Sequence, residues 1–303
     1  MRENELLNLI AHRSLEMTRK FPAVEVGPGD DAAVVQIGGE SLLLTVDQLV
    51  EGRHFRAGTP IDLVARKAVA RSVSDIAAMG GTPTFGLATG LLPEGFRDAA
   101  ALTDRLHAWA ESWGFPLVGG DIATHPPEAR EPLIVLTTTV LGRPHAARGP
   151  VLRSGARPGD SVYVTGVLGG SYDKATGLGR HLTFEPRVRE AIFLCDSLGG
   201  RLTAMMDISD GLGIDAARLA RQSGCRIGIE AALVPCAPGV DWRAAASDGE
   251  DYELLFTADG AVPDSCPPSG VPITRVGSVA SGTGCVIRSA GRDIEAESMG
   301  WQH

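Results

Sequence analysis

The chain has 303 residues, 44% of them apolar, with 28 Lys+Arg against 37 Asp+Glu and a formal charge of −9. That length fits about two domains with a sizeable core. The acidic balance excludes a general nucleic-acid or membrane-surface binder, which needs a basic face. It leaves phosphorylated ligands open, because divalent metal held among carboxylates inverts the local charge. The five cysteines (Cys195, Cys225, Cys236, Cys266 and Cys285) are odd in number and form no CxxC, which predicts reduced, cytoplasmic thiols rather than disulfides or zinc. The acidic start MRENELLNLI does not resemble a signal peptide, and no apolar run approaches the roughly 18 residues of a membrane span.

In chain order, residues 1 to 20 predict an amphipathic helix with Leu6, Leu7, Ile10 and Ala11 on one face. Short β-branched runs predict strands at Ala32 to Ile37 and Ser41 to Asp47, joined by a Gly38-Gly39 turn. Thr59-Pro60-Ile61-Asp62 reads as a helix start with a capping hydroxyl. Ile61, Val64, Ala65, Ala68, Ser72, Ile76 and Ala77 then keep helical spacing up to Gly80-Gly81. A strand near Thr84 to Leu92 follows, then a helix from Asp98 to Trp113 with Leu102, Leu106, Trp109 and Trp113 inward. Phe115 to Val118 reads as a buried strand running into Gly119-Gly120-Asp121, and Leu133 to Leu141 as a long strand.

The Pro- and Gly-rich segment Arg143 to Asp160 is the expected boundary, dividing the chain into 1–143 and 144–303. Beyond it, strands are expected at Ser161 to Thr165, Ala204 to Ile208, Tyr252 to Ala258, Ile273 to Val279 and Cys285 to Ser289. Helices are expected from Pro186 to Leu198 and from Gly211 to Ser223, the second closed by Gly224, with a surface loop over Pro263 to Pro272.

Acids beside Gly or Ser recur where these elements end: Asp30-Asp31, Asp47, Asp75, Asp121, Asp207 with Asp210, and Glu250-Asp251. Taken singly, each is explained by a turn or a cap. Taken together, carboxylates converging on one rim repel unless cations lie between them, and Mg²⁺ takes oxygen ligands of this kind. Asp75 falls in the last turn of its helix, where an acid opposes the dipole. Either a surface pair with Arg71 or a metal would compensate it. Ser209 or Asp210 would cap the helix that follows, or that helix start would offer N–H groups and a hydroxyl to phosphate. No P-loop, Rossmann, HExxH or GxSxG motif is present, so phosphate chemistry here must rest on metals and a few Arg or Lys residues.

In order and spacing, GPGDDAAVV, TVDQLVEGRHF, ARKAVARSVSDIAAMGGTP, LVGGD, RSGARPGDSVYVTGVLGGS, GRHLTFEPRV, DISDGL, GEDYELLFT and the terminal GW resemble the thiamine-monophosphate kinase family, within the aminoimidazole ribonucleotide synthetase-like superfamily. The resemblance implies a two-domain α/β (α+β) fold: an N-terminal sheet covered by helices, with a C-terminal α/β domain. It implies a homodimer through N-terminal strands, and transfer of phosphate from ATP to thiamine monophosphate without a phosphoenzyme. It implies several Mg²⁺ ions held by Asp30, Thr45, the backbone of Val46, Asp47, Asp75 and Asp121, with Asp207 and Asp210 from the second domain. It implies ATP contacts from Gly120, Asp121, Arg153 and Ser209, and contacts to thiamine monophosphate from His54, Glu250 and Trp301. Without the resemblance, His54 reads equally as a loop residue and Trp301 as terminal packing.

The chain departs from the family pattern at Ile122 (GGDIA for GGDTT), Gly170 (LGGS for LGDS), Ser72 (for Asn) and Asp248 (for the Gly before GED). Its tail reads GWQH for GWDHF. These changes bear on the acceptor more than on metal binding, since every main acid is present. A related ATP-dependent ligase or synthetase on the same fold, and a nucleotide-binding protein without turnover, are the competing expectations.

Overall fold

The computed structural model describes residues 17–301. The helix expected over residues 1–20 lies largely outside that range; its end, residues 17–20, is helical.

Two sheets organise the chain. The first contains β1 (Val24–Val26), β2 (Ala33–Ile37), β3 (Glu40–Val50), β4 (Gly81–Leu92), β5 (Leu117–Thr124) and β6 (Val135–Pro144). Their order is β1-β2-β3-β6-β4-β5, antiparallel throughout except for the β4–β5 pair. Helices α1 (Ile61–Ala78) and α2 (Ala99–Ser112) cover one face, where Leu43, Leu49, Leu136 and Val140 meet Val64, Val69, Val73, Leu102 and Leu106.

The second sheet contains β7 (Ser161–Thr165), β8 (Leu202–Asp207), β9 (Arg226–Glu230), β10 (Leu254–Ala258), β12 (Val271–Ala280), β13 (Gly284–Ser289) and β14 (Arg292–Glu295), ordered β14-β13-β9-β12-β7-β10-β8. Its strands alternate between two cores. Val162, Val164, Met206 and Leu255 face α5 (Leu212–Ser223), while Tyr163, Met205, Leu254 and Phe256 face α4 (Val188–Leu198). The expected mixed α/β class with two sheets is what the structure shows.

Several local expectations need correction. The Thr59 hydroxyl donates back to the Arg56 carbonyl, and Pro60 occupies the cap position without a side-chain bond. Helix α1 is buried on nearly all sides, polar residues included, because the second sheet packs on the side away from the first. Its Ala77 joins the α4 core, and Arg66, Lys67 and Ser74 find polar partners from that half of the chain. Strand β5 is an edge strand that runs on through Gly119, Gly120 and Asp121; Leu117 is buried, but Val118 is 60% exposed. The loop expected at Pro263–Pro272 includes the short strand β11 (Ser265–Cys266), paired with β12. A one-turn helix not anticipated from sequence, α3 (Arg180–Thr183), carries His181.

Candidate active site

Strand β3 turns Leu43, Thr45, Asp47 and Leu49 toward α1, since alternate residues of a strand share a face. Asp75 lies near the end of α1, and Asp207 ends β8 in the second sheet. Around this junction, carboxylate oxygens of Asp31, Asp75 and Asp207 lie within 4.8 Å of one another. Asp31 and Asp207 are buried, and Asp75 is half-buried. Thr45 donates its hydroxyl to Asp75, and Ser74 donates to Asp207 at 2.6 Å. Burial pushes the Asp75 carboxyl well above its usual range, with Asp47, Asp207 and Asp31 adding to the shift. Burial and Asp31 do the same to Asp207. Three hard oxygen donors at this spacing, with Asp75 and Asp207 made costly to ionise by burial and by neighbouring carboxylates, suit a divalent ion such as Mg²⁺.

The neighbours of this set differ from expectation in instructive ways. Asp31, rather than Asp30, supplies the third oxygen; the sequence signal was the Asp-Asp doublet. Asp30 accepts backbone N–H groups from Asp31 at 3.1 Å and Arg153 at 3.2 Å, and burial followed by repulsion from Asp31 raises its pKa to about 7. The Arg153 fork, expected on ATP, is closed on Asp31 by bonds of 3.1 and 2.5 Å. Arg71 pairs with Asp47 at 3.1 Å rather than with Asp75, and is largely buried. Its Nε has no partner among the described residues.

The start of α5 is also spoken for. The N–H groups of Ser209, Asp210 and Gly211 all donate to one oxygen of Asp215, at 3.1, 3.0 and 3.1 Å. Neither Ser209 nor Asp210 caps the helix; Gly211 holds that position. Arg218 binds both Asp210 and Asp215. Sequence reasoning missed Asp215, although it sits one helical turn beyond the DISDGL motif.

A second cluster forms two turns back along α1. Lys67 is fully buried and donates to the His54 carbonyl at 2.8 Å, to His181 Nδ1 at 2.9 Å and to Glu250 Oε2. Glu250 follows Gly249 in a loop where Glu250 and Tyr252 both take left-handed backbone angles, φ of 56° and 54°. Such angles cost a non-glycine residue on the order of 1 kcal/mol and mark an over-determined loop. The loop is pinned by Glu250 N–H on the Ser209 carbonyl (2.7 Å), by Tyr252 N–H on the Ile208 carbonyl (2.8 Å), and by the buried Asp251. Asp251 accepts from Gly169 N–H, Ser171 and Arg180. Burial is the largest influence and opposes the Glu250 charge, but the attraction of Lys67 and Arg71 and the side-chain hydrogen bonds around it together bring the pKa down to about 2. His54 accepts the Val50 N–H at Nδ1 (2.8 Å), and burial, with Arg71 and Lys67, lowers its pKa to about 4. Its ring is therefore neutral, with the proton on Nε2.

Trp301 is 58% exposed, which argues against a packing role. Its indole N–H donates to the Asp248 carbonyl at 2.7 Å and its backbone N–H to the Asp210 carbonyl at 3.0 Å, leaving an aromatic surface to solvent. Two departures from the family pattern meet here: the Gly170 N–H donates to the Asp248 carboxylate at 3.2 Å. The acid missing from one side of this contact is present on the other.

Gly120 and Asp121 stand apart within one chain. Asp47 pairs with Thr138, Thr138 with Ala88 and Ala88 with Gly120. That is three strand spacings, about 14 Å. They border a cleft of about 430 Å³ with Leu102, Leu106, His107 and Leu136 on its walls. Val46 points to the opposite face of the sheet and is 63% exposed.

A sheet and helix layer bringing carboxylates to one rim defines a known class: the family described as AIR synthase related protein, N-terminal domain, matches residues 29–143. Over most of its length the chain is similar to thiamine-monophosphate kinases. That of Rhodopirellula baltica is 34% identical over 302 residues, covering 92% of this chain and 90% of the relative. That of Escherichia coli K12 is 33% identical over 318 residues, covering 92% of each. A solved structure described as AaThiL complexed with AMPPCP and TMP superposes with a TM-score of 0.78 at 30% identity, covering 100% of this chain and 99% of the other. The chain belongs to the thiamine-monophosphate kinase family.

Proposed function

We propose that the protein transfers the γ-phosphoryl group of ATP to the phosphate of thiamine monophosphate, directly and in line, giving ADP and thiamine diphosphate. The observation that carries this is that α1 joins two unlike clusters: oxygen donors around Asp75 at one end, and Lys67 holding Glu250 and His54 at the other. A phosphorylated acceptor needs both, one for its phosphate and one for its organic end. Family membership supplies the two substrates, since AMPPCP is an ATP analogue and TMP the acceptor in the related complex.

We assign Asp30, Asp31, Thr45, Asp47, Asp75 and Asp207 to Mg²⁺, with the Val46 carbonyl and Asp210 beside them. Bound Mg²⁺ supplies neutralisation of phosphate oxygens as charge moves between donor and acceptor. Gly120 and Asp121 border the cleft assigned to the nucleotide and its metal, with Arg153 and Ser209 at the phosphate end. Trp301 stacks on the cationic thiazolium or the pyrimidine. Glu250 offsets positive ring charge, and His54 donates from Nε2. No strong base is required, because the attacking phosphate oxygen is already ionised near neutral pH. We also propose the division 1–143 and 144–303, and a cytoplasmic location; among the described residues no helix is long and apolar enough to cross a membrane.

The purified chain with Mg²⁺, ATP and thiamine monophosphate is expected to yield ADP and thiamine diphosphate in equal amounts. ATP turnover only with another phosphorylated acceptor would instead favour a related synthetase, and nucleotide binding without turnover a non-enzyme.

We further propose a homodimer through the outer face of the first sheet. Val46, Phe85, Leu87 and Val118 are all exposed, and Val46, Thr139 and Leu87 lie in one cross-strand row on that face. A continuous apolar sheet face of this kind marks an association surface. Phe85→Asp is expected to convert a dimer to a monomer in light scattering, without lowering the melting temperature of the monomer itself. A wild-type protein that is monomeric at micromolar concentration would refute the dimer.

A further inference from the structure

Lys67 presents an unusual economy of bonding. An ammonium group has three protons and no acceptor. Here all three have protein partners from three separate segments: the His54 carbonyl after β3, His181 Nδ1 on α3, and Glu250 Oε2 in the loop before β10. His181 Nε2 lies 3.2 Å from the Gly177 carbonyl, so the ring proton is on Nε2 and Nδ1 is an acceptor. The 3.2 Å separation of His181 Nδ1 from Glu250 Oε2 is then that of two acceptors sharing one donor. A fully buried ammonium with no proton to spare does not contact substrate; it holds other groups in place.

The groups it holds are the ones that need holding. Glu250 sits in a left-handed backbone conformation with its side chain 25% exposed; Lys67 is the cation bonded to its carboxylate, and the His181 ring nitrogen lies 3.2 Å from the same oxygen. Without Lys67, the carboxylate loses the ammonium that anchors it to α1. Lys67 and Asp75 lie two turns apart on α1, about 12 Å along its axis. A rigid helix thus carries both the anchor of Glu250 and a carboxylate of the metal set.

We propose that Lys67 is a positioning residue for the acceptor: its ammonium fixes the Glu250 carboxylate and the His54 carbonyl relative to α1. It thereby sets where the organic end of the acceptor lies with respect to the carboxylates around Asp75. The inference rests on the assignment of His54 and Glu250 to the acceptor, and its test separates the two.

Lys67→Met keeps the stem and removes the protons. The KM for thiamine monophosphate is expected to rise at least tenfold, with the KM for ATP within twofold of wild type. In Glu250→Gln the acceptor KM is expected to rise similarly, and the double variant is expected to be no worse than Glu250→Gln alone, because the two residues act as a unit. An unchanged acceptor KM in Glu250→Gln overturns the assignment of Glu250, and the proposal with it. A raised acceptor KM in Glu250→Gln, but multiplied effects in the double variant, overturns the role of Lys67 alone; so does an equal rise in both KM values for Lys67→Met. Should Lys67→Met fail to fold because the Glu250 carboxylate is left unpaired, the double variant removes both charges and is compared with Glu250→Gln. Equal acceptor KM values then support the role, and a further tenfold rise overturns it.

Discussion

Asp75→Asn is expected to lower turnover at saturating Mg²⁺ by about a hundredfold to a thousandfold, the range for removing one electrostatic contact to the reacting group. The same change is expected to raise the melting temperature of the metal-free protein. The reason is common to both effects. Asp75 shares a small volume with Asp31 and Asp207, and their mutual repulsion is relieved by a bound cation or by taking up a proton. The amide still accepts the Thr45 hydroxyl, so the local bonding survives. Each kcal/mol of relieved repulsion is worth roughly 2–4 °C in a chain of this kind.

Wild-type protein in EDTA is also expected to lose stability as pH rises from about 4 to about 7. Asp30 has its carboxyl raised from 3.8 to about 7 in the folded state, so between those values the folded protein holds a proton that the unfolded chain has released. Added Mg²⁺ is expected to flatten that slope in wild type. In Asp75→Asn, Mg²⁺ is expected to give a much smaller rise in melting temperature. Scanning fluorimetry with Mg²⁺ and with EDTA, beside a turnover assay, checks the set. Near-normal turnover, or an unchanged Mg²⁺ response, would remove Asp75 from the metal site.

Arg153→Met is expected to be the most destabilising of the substitutions considered, at about 3–5 kcal/mol, the usual effect of stranding a buried charge by removing its partner. The Asp31 side chain is fully buried and its two oxygens are held by the Arg153 fork, while the Arg153 N–H also binds Asp30. Without the fork, Asp31 faces Asp75 and Asp207 uncompensated. The deficit is expected to be largest in EDTA and to shrink with Mg²⁺, which replaces part of the lost positive charge. Were Arg153 only an ATP contact, the variant would raise the KM for ATP and leave the metal-free melting temperature unchanged. Thermal melting of wild type and variant across Mg²⁺ concentrations decides between these outcomes.

Much of the scaffold was legible because it is locally encoded. The spacing of Val64, Ala68 and Ile76 gave α1, and Gly224 closed α5 in the left-handed conformation that glycine tolerates. The polar side of α1 was not legible from periodicity. Arg66, Lys67 and Ser74 look like a solvated face until residues more than 100 positions away are brought onto them. Strand β5 misled for a related reason. Val118 and Ile122 are apolar in sequence, yet lie exposed at a sheet edge, and only strand order reveals that.

The site divides along the same line. By itself the sequence determined that acids stand at element ends, that oxygen ligands and phosphate chemistry suit them, and, through ordered motifs, which family they resemble. Those features depend on residue type and short spacing, which a linear chain displays directly. Tertiary structure alone decided that Asp31 completes the three-carboxylate set, that Asp215 takes the α5 N–H groups, that Arg153 closes on Asp31, and that Asp121 stands three strands from Asp47. It alone joined Gly170 to Asp248 and Lys67 to Glu250. Which carboxylate meets which cation is fixed by side-chain direction and distance, and those quantities exist only once the two sheets have closed on α1.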